Sequence, residues 1–296
     1  MNPSPSNKNS NDSCDGVCSS CAEKGKCDDP KAQQNKINDR LSRIGYKIAI
    51  ASGKGGVGKS TVTVNLAAAL RSLGYKVGIL DGDITGPDIP KLLGIEDQKL
   101  VAGPSGLEPA DAGGIKAISM ALLLKSRDSP VVWRGPMKMA ALKQFIEEVN
   151  WGELDFLLVD LPPGTSDEPI SIAQLIPGLD GAIVVTTPQE VALLDSRKAV
   201  NMFLMMNVPM LGIVENMSGL ICPHCGQRIE VFKTGGGEEA ARELGVPFLG
   251  AIPLDTEIGS LGDMGKTFAN SKTAAAKAFE EIVKSILDRL EAQQAK

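Results

Sequence analysis

The segment that most narrows what this chain can fold into begins where the apolar run Tyr46–Ser52 gives way to Gly53-Lys54-Gly55-Gly56-Val57-Gly58-Lys59-Ser60. Beyond it the sequence resumes with helical spacing from Lys59 to Leu73, with Leu66, Leu70 and Leu73 on one face and Gly74 as the stop. Strand, glycine-rich turn and helix in that order form the context a phosphate-binding P-loop requires. The glycines let the backbone bend so that its N–H groups point at phosphate oxygens, and the helix N-terminus adds the positive end of a dipole. In this pattern Lys59 bridges the β- and γ-phosphates, and the Ser60 hydroxyl ligates Mg²⁺. The predicted nucleotide-binding set is therefore Gly53, Gly55, Gly56, Val57, Gly58, Lys59, Ser60 and Thr61.

The rest of the chain alternates short apolar runs with helical patterns. Strands are predicted at Lys76–Leu80, Ile115–Ser119, Asp155–Val159, Ala182–Thr186, Met210–Val214 and Pro247–Ile252. Helices are predicted at Met137–Asn150, Glu190–Met206, Gly237–Leu244 and Thr273–Ala292. Runs such as Phe156-Leu157-Leu158-Val159 are continuously apolar, as expected of parallel strands covered on both faces by crossover helices. The expected fold is a doubly wound, mostly parallel α/β sheet with its ligand site at the carboxyl ends of the strands. Residues 41–296 are assigned to this domain. Residues 1–40 are polar and poor in aliphatics, and read as a flexible cysteine-rich arm.

Two acidic positions complete the predicted nucleotide site. Asp160 ends the strand Asp155–Val159, where a carboxylate holds Mg²⁺ directly or through water. Asp81 and Asp83 follow the strand Lys76–Leu80, and either can orient an attacking water. The formal net charge of −5 argues against nucleic acid as a main partner. No apolar stretch is long enough to span a bilayer, and the N-terminus lacks the apolar segment of a secretory signal, so a cytoplasmic location is expected. The apolar face of the last helix, Phe279, Ile282, Val283, Ile286, Leu287 and Leu290, lacks a strongly basic flank and reads as core, not as a membrane-targeting stripe.

Six cysteines in a cytosolic protein suggest metal or redox chemistry more than disulfides. Cys222 and Cys225 form a CxxC pair in a turn after the strand Met210–Val214. Two thiolates cannot complete a tetrahedral or cubane site, but two copies of the chain across a two-fold axis supply four. The same residues also resemble one knuckle of a zinc ribbon, or a redox pair. His224, the single histidine, lies between them as a ligand or a bystander. Cys14, Cys18, Cys21 and Cys27, separated by three, two and five residues, can ligate a cluster or zinc within one chain, or form a reduced tail.

Lys54 is not needed by the generic loop pattern. It resembles the second lysine of the deviant P-loops found in the MinD, ParA, arsenite pump and nitrogenase iron protein family. That resemblance implies a lysine reaching across a dimer interface to the partner's nucleotide, instead of a solvent-facing lysine beside phosphates. Ala51–Thr61, Asp81–Pro90 with Leu92-Leu93-Gly94, Trp133–Met137, Asp160–Asp167, Glu215–Ser218 and Cys222–Cys225 together resemble the Mrp/ApbC branch, the iron–sulfur cluster carrier and scaffold ATPases. The resemblance covers residues 45–290. It implies slow ATP hydrolysis linked to cluster transfer, with Asp83 in a first switch orienting water and Asp160 opening a second. It places Asn216 at the adenine edge and a [4Fe-4S] cluster bridging a homodimer, or a heterodimer with a related ATPase, on Cys222 and Cys225. Recipient apoproteins are the implied partners. Cytosolic scaffolds of this kind carry a ferredoxin-like N-terminal cluster, which would make Cys14, Cys18, Cys21 and Cys27 a second [4Fe-4S] site; here the first cysteine lies much closer to the second than in that pattern. The alternatives are a MinD/ParA-like partitioning ATPase and a zinc-stabilised, nucleotide-dependent assembly protein.

Overall fold

Parallel strands with continuously apolar sequences dictate a sheet buried on both faces, and the computed structural model contains one. It describes residues 30–294 except 105, 125, 127–132, 134 and 223. In chain order the elements are α1 (Pro30–Leu41), β1 (Ile44–Ser52), α2 (Lys59–Ser72), β2 (Val77–Asp81), α3 (Ile89–Leu93), the hairpin β3 (Val101–Gly103) and β4 (Gly106–Glu108), β5 (Ala110–Asp111), β6 (Ile115–Ile118) and α4 (Gly135–Glu148). They continue with β7 (Leu154–Asp160), α5 (Asp167–Leu175), β8 (Gly181–Thr186), α6 (Glu190–Met205), β9 (Met210–Glu215), the hairpin β10 (Leu220–Ile221) and β11 (Arg228–Ile229), α7 (Gly236–Leu244), β12 (Phe248–Ala251), α8 (Thr256–Asp263) and α9 (Ala274–Gln294).

The main sheet runs β12-β9-β8-β1-β7-β2-β6-β5, and all its pairings are parallel except β5 with β6. The P-loop strand β1 lies inside it between β7 and β8. Apolar side chains of α2 and α9, among them Leu66, Leu70, Phe279, Ile282 and Ile286, cover one face. Those of α1, α4, α5 and α6, including Ile37, Phe145, Ile146, Ile172 and Phe203, cover the other. The stripe on α9 is thus core.

The packed domain begins earlier than expected. Residues 30–41 form α1, and Ile37 and Leu41 are buried. Among the described side chains of α1 these two apolar residues, one turn apart, are the buried ones, so the composition of the segment still reads as polar. Pro30 opens the helix, where a missing N–H costs nothing. Cys14, Cys18, Cys21 and Cys27 lie outside the described residues.

Candidate functional site: a P-loop cleft and a cysteine hairpin

All the strands that carry site residues run the same way, so their carboxyl ends share one edge of the sheet. β1 leaves the sheet there into the P-loop. Gly56 and Gly58 take φ values of 81° and 85°, a left-handed conformation that a β-carbon disfavours. Gly58 caps α2 with no side chain on the first amides, leaving those N–H groups aimed outward for an anion. Gly53 is required for another reason: a β-carbon there would collide with the α6 backbone at Asp195 and Ser196.

Asp160, at the end of β7, is fully buried under the loop. Its Oδ2 accepts from Lys59 Nζ at 2.5 Å and from Ser60 Oγ at 2.7 Å, and its Oδ1 accepts from Thr63 Oγ1 at 2.6 Å. The predicted lysine, hydroxyl and carboxylate are therefore brought together. Asp81 is the register partner of Asp160 on neighbouring β2. Burial, reinforced by the Asp160 charge, holds its carboxyl well above the usual range. Ser119 Oγ donates to it at 2.7 Å. Asp83, two residues on, reaches the cleft. Burial lifts its carboxyl too, while the Gly86 amide donates to it at 3.1 Å. Of the two candidate water-orienting acids, Asp83 lines the cleft and Asp81 does not.

The cleft holds about 500 Å³ and is lined by Gly55, Gly56, Gly58, Lys59, Ser60 and Thr61, with Asp83, Asp88 and Pro163 on the side of the two acidic segments. Its far wall, Ile258, Gly259, Gly262 and Asp263 of α8, was not identified from sequence. The signal for α8 was Asp255, whose side chain caps the helix by accepting from the Glu257 amide at 2.9 Å. Lys138 at the start of α4 was also missed. It donates to Thr85 Oγ1 at 2.8 Å and pairs with Glu168 at 2.9 Å, tying the segment after Asp83 to the helix after Pro163.

Lys54 is half-buried, does not line the cleft of its own chain, and has no side-chain partner among the described residues. Asn216, directly after β9, donates from Nδ2 to the Val57 carbonyl at 2.9 Å. The structure thus places it behind the P-loop, bracing it.

Cys222 and Cys225 sit on the β10–β11 hairpin. The Cys222 amide donates to Gln227 and the Gly226 amide to the Cys222 carbonyl, both at 2.9 Å, which closes the turn. Both thiols are free; Cys225 is exposed and Cys222 partly so. The backbone amide of Cys225, with that of His224 and the Cys225 thiol, pulls the Cys222 pKa down. Ile221, Ile229, Val231 and Phe232 present apolar surface around the pair. Among the described residues no three His, Cys, Asp or Glu side chains cluster as a metal site, and the thiols there are the two of this hairpin.

Residues 43–287 match the ParA family model, described as NUBPL iron-transfer P-loop NTPase. The chain belongs to that family. Among curated relatives of this NUBPL-type NTPase, the iron-sulfur cluster carrier protein of Methanocaldococcus jannaschii is 51% identical over 286 residues, 95% of this chain and 99% of the relative. Among solved structures, the nucleotide-binding protein of Archaeoglobus fulgidus in complex with ADP is 40% identical, with a TM-score of 0.73 over 83% of this chain and 96% of that one. The cell division ATPase MinD of Pyrococcus furiosus superposes with a TM-score of 0.61 at 25% identity, over 83% of this chain and 99% of that one. The doubly wound P-loop architecture expected from the sequence is therefore the observed one. Among the described residues no helix is long and apolar enough to cross a membrane.

Proposed function

We propose that this P-loop NTPase binds and slowly hydrolyses ATP as a dimer and carries a [4Fe-4S] cluster that it passes to recipient apoproteins. One observation carries the reading: each chain presents two free thiols on one hairpin, half the ligand set of a cluster, amid exposed apolar surface. The name of the archaeal relative at 51% identity supports the cluster as cargo, and the ADP complex of the second relative supports the nucleotide.

In this reading the amides of Gly55 to Thr61 hold the phosphates, and Lys59 leaves Asp160 to meet the β- and γ-oxygens. The hard oxygens of Ser60 and Asp160 suit Mg²⁺, which when bound neutralises phosphate charge. Asp83, whose carboxylate burial makes more basic, accepts a hydrogen bond from the attacking water. Lys54, unpaired among the described residues of its own chain, reaches the partner's γ-phosphate and stabilises charge there. Asn216 keeps its Oδ1 for the adenine edge. Cys222 and Cys225 from both copies bind the cluster, and the lowered Cys222 pKa favours the thiolate that iron needs. Cys14, Cys18, Cys21 and Cys27 would hold a second cluster.

The test is anaerobic reconstitution with iron and sulfide, followed by absorption spectra, metal analysis and sedimentation. The expected result is a brown dimer that loses its bridging cluster when both Cys222 and Cys225 become Ala, while any cluster on the arm remains. A chain that stays colourless, takes up zinc alone, or is monomeric with ATP and iron–sulfur both supplied overturns the proposal.

A further inference from the structure

Two adjacent residues at the end of β9 hold two different parts of the site. Asn216 donates to Val57 in the middle of the P-loop, and a β-carbon on Gly58 would run into the same amide. Glu215, fully buried, accepts from the Gly235 amide at 3.0 Å and the Gly237 amide at 2.6 Å. Those glycines stand where the chain returns from the cysteine hairpin into α7. Both ends of the excursion that carries Cys222 and Cys225 are thus attached to this dipeptide: the outgoing end by the backbone, the returning end by the Glu215 carboxylate.

The outgoing end is also bent. Met217 takes φ 58°, a left-handed conformation unusual for a residue with a side chain, and Gly219 follows at 70°. The dipeptide itself is fixed to the sheet, since Asn216 N–H donates to Thr186 at 2.8 Å and the Ile252 amide donates to Glu215 at 2.8 Å. A change in P-loop peptide orientation is therefore passed to a stiff strand end; beyond Met217 the Ser218 amide donates to Ile252 at 2.9 Å and the Leu254 amide to Gly219 at 2.7 Å, so what can yield is the pair of amides on Glu215.

We infer that Glu215 is a positioning residue that couples the nucleotide state to the cysteine hairpin, with Asn216 as its contact to the P-loop. The inference rests on the proposed carrier function and supplies the physical link between its two halves. A buried carboxylate with two amides on it sets the base of the hairpin in one position, and nucleotide binding shifts the balance between this position and a looser one.

The experiment measures alkylation of Cys222 and Cys225 by iodoacetamide in the full chain without cluster, read on the peptide that carries both, with ADP and with a non-hydrolysable ATP analogue. In the unaltered chain the two rates should differ by about fivefold or more. Glu215→Gln replaces an acceptor oxygen with a donor against one amide. Gly237→Ala is an independent variant whose β-carbon would press on Glu215 Oε2 at 3.1 Å. Either variant should bring the ratio close to one while sedimentation still shows dimerisation with the analogue. A ratio that persists in a folded variant overturns the coupling, because the thiols are then shielded by the dimer contact alone; so does a wild-type ratio of one. Hydrogen exchange at the Gly235 and Gly237 amides of the unaltered chain gives a second reading, and equal rates in the two nucleotides refute the inference. Cluster reconstitution is scored separately: a chain that holds its cluster but keeps the ratio in the variants loses the coupling and retains the carrier function.

Discussion

Replacing Gly58 with Ala tests how the P-loop is held before any nucleotide arrives. Two costs can be read from the structure. At φ 85° an alanine meets the left-handed penalty of about 1–2 kcal/mol. Its β-carbon also falls on Asn216 Nδ2, which must leave the Val57 carbonyl; a hydrogen bond of this kind contributes about 0.5–1.5 kcal/mol net. Together the substitution should destabilise the chain by about 1.5–3.5 kcal/mol. Urea unfolding without nucleotide measures it, and a double-mutant cycle separates the parts. With Asn216→Ala in place the collision and the hydrogen bond are both gone, so Gly58→Ala should then cost only the backbone term. The expected coupling is about 1 kcal/mol, well above the roughly 0.3–0.5 kcal/mol scatter of independent sites. Additive costs would refute the reasoning, because Asn216 would then not be the group that the new methyl meets.

Two further outcomes follow from the site. Asp81 has a folded-state pKa above its unfolded value, so the native state holds the extra proton between the two and its stability falls as pH climbs from about 4 through the raised value. Asp81→Asn keeps the shape without the charge, so urea midpoints across pH should show the wild type losing ground to the variant as pH rises; the opposite slope would contradict the burial argument. Lys54→Ala should lower kcat for ATP hydrolysis by about a hundredfold or more, the scale of one donor lost from a transition state, while nucleotide affinity of the separated chain is unchanged. An equal loss of affinity in the monomer would place the lysine in its own cleft.

The parts of the site that were legible in sequence lie in consecutive residues with a strand or helix to orient them. Gly53 to Thr61 form a contiguous cradle, and Asp160 ends an apolar run, so adjacency in the sheet follows from the strand pattern alone. The strand pattern alone leaves Asp81 and Asp83 open; the resemblance names Asp83, and the register turns Asp81 inward beside Asp160 and leaves Asp83 at the cleft. Asn216 was singled out through resemblance, but its hold on Val57 spans 159 positions and no local pattern announces it. Glu215 was quoted only as part of a motif, since a buried glutamate whose partners are backbone amides leaves no second side chain to notice. α1 and α8 were missed because each presents too little apolar surface for periodicity to register: one carries Ile37 and Leu41, and the other packs through the half-buried Ile258 and Leu261.

The incompleteness of the cysteine site has a thermodynamic consequence. In the proposed carrier, the two thiolates of one chain would bind iron–sulfur weakly and four gathered by dimerisation would bind it strongly, because the second pair is already in place once the first has engaged. If ATP closes the dimer through Lys54, nucleotide and cluster favour the same closed state. Linkage then requires that the factor by which ATP tightens the cluster equals the factor by which the cluster tightens ATP. On that proposal hydrolysis, by removing the γ-phosphate that Lys54 would meet, would lower the cluster's affinity by that factor without any thiol being altered. The fixed end of β9, held by Thr186 and Ile252, stays in place through this cycle, so release need not involve unfolding. A carrier of this kind needs strong retention only while two half-sites are held together.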